Sequence, residues 1–143
     1  MGRDVADMPL MPDYMPVMNS TDEDHPFRLV AAPARHFLNT SFTETASSRR
    51  YEKRPSLLLH PLDAANMAVA DGELVRVGNR LADIVLHAEL FDGVQQGVVV
   101  IESIWPNAAF VEGLGVNALI SAEPGKPNGG AIFHDTAVWV RQI

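Results

Sequence analysis

Short runs in which apolar residues alternate with polar ones, or stand in succession as β-branched residues, recur along this chain and predict strands. Phe27-Arg-Leu-Val-Ala-Ala32 is the first, and Pro33 ends it by withholding a ladder donor. Leu57-Leu-Leu59 is the second, and Glu73-Leu-Val-Arg-Val77 is the third. In residues 83–91, Ile84, Leu86, Ala88 and Leu90 share one face, with residues 77–82 as the preceding hairpin turn. Val98-Val-Val-Ile101 has four apolar residues in succession, which predicts a strand buried on both faces, and Trp105-Pro106 ends that region. Residues 136–141 form the last strand.

Helical signals are fewer. Pro61 suits the first position of a helix, which makes His60 the N-cap and puts the Asp63 carboxylate at the positive helix end. Asp71-Gly72 then turns the chain into the third strand, with glycine free to take positive φ. A helical turn is expected near residues 117–121, inside a loop of small residues, glycine and proline that fills most of 106–135. Six strands against one or two short helices, with no long helical crossovers, predict a mainly β protein, a barrel or sandwich.

The 143 residues fit one domain large enough to bury a core without a staple. Residues 1–26 stand apart: Pro9, Pro12 and Pro16 interleave with five methionines, and Asp22-Glu-Asp24 follows. That spacing forbids helix or ladder, so 1–26 is expected to be a flexible leader or inter-domain connector, or an arm packing its methionines on another surface. The domain proper is 27–143. Cysteine is absent, which excludes disulfides, cysteine-ligated iron–sulfur clusters and a cysteine nucleophile. A formal charge of −7 argues against nucleic acid and anionic lipid as partners. No apolar run reaches the ~20 residues of a membrane helix and no signal peptide is visible, so membrane insertion is not expected and a cytoplasmic location is favoured.

Candidate chemistry sits in two loops. After the first strand, Arg35, His36, Asn39, Thr40 and Ser41 offer a fixed cation, a titratable ring and three hydrogen-bonding side chains within seven residues. Guanidinium and hydroxyl donors match phosphate oxygens, so this loop can hold a pyrophosphate. Locally the same residues also read as a turn capping a short helix at 41–45. Asn117 carries the paired donor and acceptor that a heterocycle edge requires, and is an equally natural helix N-cap. The basic cluster at 47–54 reads as a solvated linker. The histidines at 25, 36, 60, 87 and 134 show no metal-binding spacing. Gly113-Leu-Gly-Val-Asn-Ala118 matches G-x-G-x-x-A without the βαβ context a dinucleotide fingerprint needs. His134-Asp135 either approaches a ligand or ends the loop, and Trp105 reads as core or rim packing.

The stretch LLLHPLDAANMAVADGELVRVGN, residues 57–79, resembles the C-terminal dinucleotide-binding domain of the molybdopterin oxidoreductases, the dimethyl sulfoxide reductase superfamily. Residues 34–42, 116–119 and 129–136 resemble that family's other blocks in the same order, so the likeness spans residues 26–142. The resemblance implies a six-stranded double-psi β-barrel that binds molybdopterin guanine dinucleotide and clamps it without supplying the metal ligand. Molybdenum or tungsten would be held elsewhere in the parent enzyme. It implies the catalytic and iron–sulfur domains of the parent oxidoreductase as partners, and it makes the loop after the first strand the phosphate side, with Asn117 beside the pterin. No catalytic residue and no metal ligand are expected in this chain. The alternative is a free-standing double-psi barrel acting as a protein-interaction module, and a small hydrolase or decarboxylase on the same barrel is a third reading.

Overall fold

The structure, a computed structural model, describes Met11, Tyr14 and residues 19–102, 104–125, 129–133 and 136–143. Six strands are present: β1 Phe27–Ala32, β2 Ser56–Leu59, β3 Leu74–Gly78, β4 Asp83–Leu90, β5 Val98–Glu102 and β6 Thr136–Gln142. Two short helices, α1 Ala46–Glu52 and α2 Pro61–Asn66, lie between them. The strands close into a barrel in the order β1-β5-β2-β4-β3-β6. The pairs β1–β5 and β2–β4 are parallel and the other four are antiparallel. Advancing every strand by three maps this set of pairs, parallel onto parallel, back onto itself. Two equivalent three-stranded halves are therefore interlocked, which is the double-psi barrel.

Period two fills the interior. Leu57 and Leu59, Val75 and Val77, Ile84 and Leu86, and Val99 and Ile101 are all at most 1% exposed. Their registers oppose Leu57 to Ile101, Val77 to Ile84 and Leu29 to Val99, so a slip by one residue would turn each inward set to solvent. Each such side chain contributes roughly 1.5–3 kcal/mol on full burial.

Three expectations change. Val98 and Val100 are only half-buried, because a closed barrel has one dry face and β5 alternates across it. The basic stretch at 47–54 is not a linker but largely helix α1, although α1 buries none of its residues. The helix expected at 41–45 does not form: Phe42 adopts φ 70°, outside the helical region, and α1 begins only after Thr45. The expectation for 1–26 falls mostly outside the described residues. In its described tail, the Nδ1 of buried His25 lies 3.0 Å from Asp22 Oδ1, and Arg80 Nη2 reaches Asp22 Oδ2 at 3.4 Å.

Strand direction gives the barrel two different rims. β1, β3 and β5 run toward one, from which β2, β4 and β6 depart. That rim, the long-loop rim, carries residues 33–55, 79–82, 104–125 and 129–133. The short-loop rim carries α2, residues 67–73 and residues 91–97.

Candidate functional site

The loop after β1 is pinned by two inward residues. Ala34 and Phe37 are buried, and the Phe37 ring meets buried Trp105 edge-on, with centroids 4.7 Å apart. Phe37 follows β1 and Trp105 follows β5, so this contact fastens the two long loops together. Trp105 is thus packing, as the sequence indicated. Around these anchors Arg35, His36, Asn39, Thr40 and Ser41 are exposed.

A tight turn holds the polar residues. Leu38 and Ser41 exchange backbone hydrogen bonds at 3.1 and 2.8 Å, with Asn39 between them at φ 52°, a conformation asparagine tolerates. Buried Thr43 donates its Oγ1 hydrogen to the Thr40 carbonyl at 3.0 Å. His36 is different from its neighbours. Its backbone N–H and its Nδ1 both donate to Glu52 Oε1 at 2.7 Å, and its ring stacks on Tyr51 at 4.5 Å. Only its Nε2 edge remains for a ligand.

The second loop brings Asn117 to the same rim. Asn117 lies within a 3-10 turn, Val116–Leu119, and is exposed while Val116 and Leu119 are buried beneath it. Asn117 is not the N-cap of this turn; Gly115 is, without a side-chain cap. A Cβ at Gly115 would stand 2.8 Å from Asn107 Oδ1 and 3.0 Å from the Phe110 ring, so the approach to the turn is close-packed. Asn79, in the β3–β4 hairpin, donates its Nδ2 hydrogen to the Leu119 carbonyl at 2.8 Å. Arg76 on β3 pairs with Asp83 on β4 and reaches Glu112 at 2.7 Å, tying the loop down again. Glu112, then Asp83, hold the Arg76 guanidinium above its usual pKa.

The structure therefore brings Arg35, Asn39, Thr40 and Ser41 from one loop and Asn117 from another to a single rim. Among the described residues, none of these five side chains has a hydrogen-bond or ion-pair partner within the chain. A guanidinium, two hydroxyls and two amides suit anionic oxygens and a heterocycle edge, so the donor set fits a dinucleotide. No group of three or more His, Asp or Glu residues among the described residues is placed to hold a metal ion. His134 and Asp135 lie outside the described residues. Glu52, Lys53 and Arg54 border a hollow of about 330 Å³ together with Asp71 and Glu89, where both charge signs meet. Among the described residues no helix is long and apolar enough to cross a membrane.

Sequence reasoning missed Glu52, Tyr51 and Phe37. Ala34 and Phe37, two apolar residues in an otherwise polar loop, were a readable signal for the anchor. Nothing local links Glu52 to His36, sixteen residues earlier.

Residues 27–137 match the family described as "Molydopterin dinucleotide binding domain". All four sequence blocks lie within that span. A "Probable oxidoreductase YoaE" of Bacillus subtilis is 33% identical over 94% of this chain and 19% of its own length. The "Respiratory nitrate reductase subunit alpha" of Haloferax mediterranei is 25% identical over 77% of this chain and 11% of its own. The "Dimethyl sulfoxide/trimethylamine N-oxide reductase" of Rhodobacter capsulatus is 30% identical over 65% of this chain and 12% of its own. This chain thus spans a tenth to a fifth of these curated relatives. Among solved structures, acetylene hydratase from Pelobacter acetylenicus superposes with a TM-score of 0.69 at 17% identity, over 83% of this chain and 18% of that one, which shows the shared fold.

Proposed function

We propose, starting from the fact that this chain belongs to the molybdopterin dinucleotide binding domain family of the molybdopterin oxidoreductases, that its long-loop rim clamps a molybdopterin guanine dinucleotide. Arg35 supplies the fixed positive charge for the pyrophosphate, and Asn39, Thr40 and Ser41 supply neutral hydrogen bonds around it. His36 flanks the pyrophosphate with its Nε2. Asn117 reads the edge of the pterin with one donor and one acceptor. The observation that carries this reading is the set of five exposed polar side chains, on one rim, that have no partner among the described residues. The cofactor, when bound, supplies the metal and the electron transfer; this chain binds and orients it. The metal's protein ligand and any iron–sulfur cysteines come from the remainder of a larger oxidoreductase, of which this domain is a part. The relatives' length and the absence of cysteine here support that division.

The turn from Leu38 to Ser41 is held by its own backbone pairing, so little ordering remains to be done on binding. Removing the one charged donor tests the assignment. In the complex reconstituted with its parent oxidoreductase, Arg35→Ala is expected to weaken retention of the dinucleotide by roughly 1.5–3 kcal/mol, about 10- to 150-fold. Asn39→Ala should cost less, and Arg54→Ala, in the hollow beyond Glu52, should have only a small salt-screened effect. Equal retention by wild type and Arg35→Ala at fixed salt would reduce the loop to a turn.

A further inference from the structure

Helix α1 looks superfluous to the barrel: none of its residues is buried, and Thr45 gives it no side-chain cap. Yet the Glu52 side chain is only 11% exposed, because its Oε1 accepts both the backbone N–H and the Nδ1 hydrogen of His36. Tyr51 lies flat against the same imidazole, 17° from parallel. Two bonds and a stacked face thus converge on the residue next to Arg35. We infer that Glu52 is a positioning residue for dinucleotide binding: acting through His36, it fixes the backbone of the loop and so aims Arg35 and the 39–41 turn. The inference rests on the phosphate-binding reading above and deepens it.

Coulomb's law alone predicts the opposite effect of Glu52. A carboxylate near an anion site repels the anion, so any substitution that neutralises it should strengthen binding. Positioning predicts instead that the outcome depends on whether an acceptor remains. Glu52→Gln removes the charge and retains a carbonyl oxygen for the two His36 donors. Glu52→Ala removes both.

The test uses the whole 143-residue chain and guanosine diphosphate as the probe. Amide spectra of residues 35–41 and hydrogen exchange of the His36 amide are recorded without ligand, followed by titration with the diphosphate. For Glu52→Ala we expect at least tenfold faster His36 exchange, shifted resonances across 35–41 with the strand amides unmoved, and three- to tenfold weaker binding. Glu52→Gln should keep the wild-type loop spectrum and bind as well as wild type or better. In an Arg35→Ala background, Glu52→Ala should have a smaller further effect on binding, since only the 39–41 turn is left for it to position. Tighter binding by Glu52→Ala, an unchanged loop spectrum, or equal effects of the two Glu52 variants would each overturn the assignment. If wild type fails to bind the diphosphate, the phosphate reading falls. The loop amides then decide separately whether Glu52 holds the loop.

Discussion

The two rims of the barrel use polar residues in opposite ways. At the short-loop rim the polar groups of α2 and of the turn before β3, with His87 of β4 beside them, close bonds within the fold. His60 Nδ1 accepts from the Leu62 N–H at 3.1 Å, Asp63 from Gly97 at 2.7 Å, Asp71 from Leu90 at 2.9 Å and Glu73 from Ala70 at 2.8 Å. His87 Nδ1 donates to the Gly72 carbonyl at 3.0 Å. At the long-loop rim, Arg35, Asn39, Thr40, Ser41 and Asn117 close none with their side chains among the described residues. Polar groups that cap turns are already committed and have nothing left for a ligand, whereas those held outward by apolar anchors beneath them are available for one. A dense polar motif is therefore a weaker sign of binding than a polar set whose supporting bonds are made by other atoms.

The largest expected effect tests whether the anchors and the donors are separable. Phe37 stands between His36 and Leu38 but belongs to the core, so Phe37→Ala should destabilise the fold by about 3–5 kcal/mol, the range for a buried phenylalanine. Arg35→Ala, two residues away, should leave stability within about 0.5 kcal/mol, as exposed substitutions do. Urea denaturation of both variants measures the contrast. Comparable losses would show that the donors also hold the fold, and the distinction between rims would fail.

A middle-sized effect probes the short-loop rim. Asp63 sits in the first turn of α2 and accepts the Gly97 N–H, which joins that helix to the entry of β5. Removing a charged acceptor costs roughly 1.5–3 kcal/mol, so Asp63→Ala should lower the denaturation midpoint accordingly, with Asp63→Asn costing less. Dinucleotide retention by the folded fraction should be unchanged. A loss of retention at equal stability would place ligand contacts on this rim as well.

Much of the fold was legible because it depends on local pattern. The Pro61 start of α2, with His60 accepting at its N-cap, and the positive φ of Gly72 follow from two or three adjacent residues. Strand β1 ends where Pro33 forbids its continuation. The closure of the barrel was not legible, because parallel β1–β5 and β2–β4 pairing joins segments far apart in the chain. At the candidate site, donor chemistry was visible in residues 35–41, while the reason His36 behaves differently was not. Its partner Glu52 lies on a helix whose sequence looked like a basic linker.

The smallest effect concerns charge that the long-loop rim tolerates without compensation. Glu102 ends β5 there, and its pKa is raised above the usual carboxylate value, first by burial and then by the neighbouring Glu52 and Glu89 carboxylates. A carboxyl whose folded pKa is raised binds protons more readily in the native state than in the unfolded chain, so its contribution is full below the unfolded value, near 4.3, and is lost as pH rises through the folded one. Asp22 has the opposite sign: hydrogen bonds from His25 lower its pKa, and its contribution is lost as pH falls. Comparing Glu102→Gln with wild type cancels the Asp22 term, since both proteins carry it. The variant should be slightly more stable at pH 7, by at most about 0.5 kcal/mol for so exposed a group, and the difference should vanish near pH 3.5, where Glu102 is protonated in both states. Thermal midpoints of the two proteins across that range check the sign. A variant less stable at pH 7 would mean that Glu102 has a favourable partner, and its charge would then be compensated as those of Glu52 and Glu112 are.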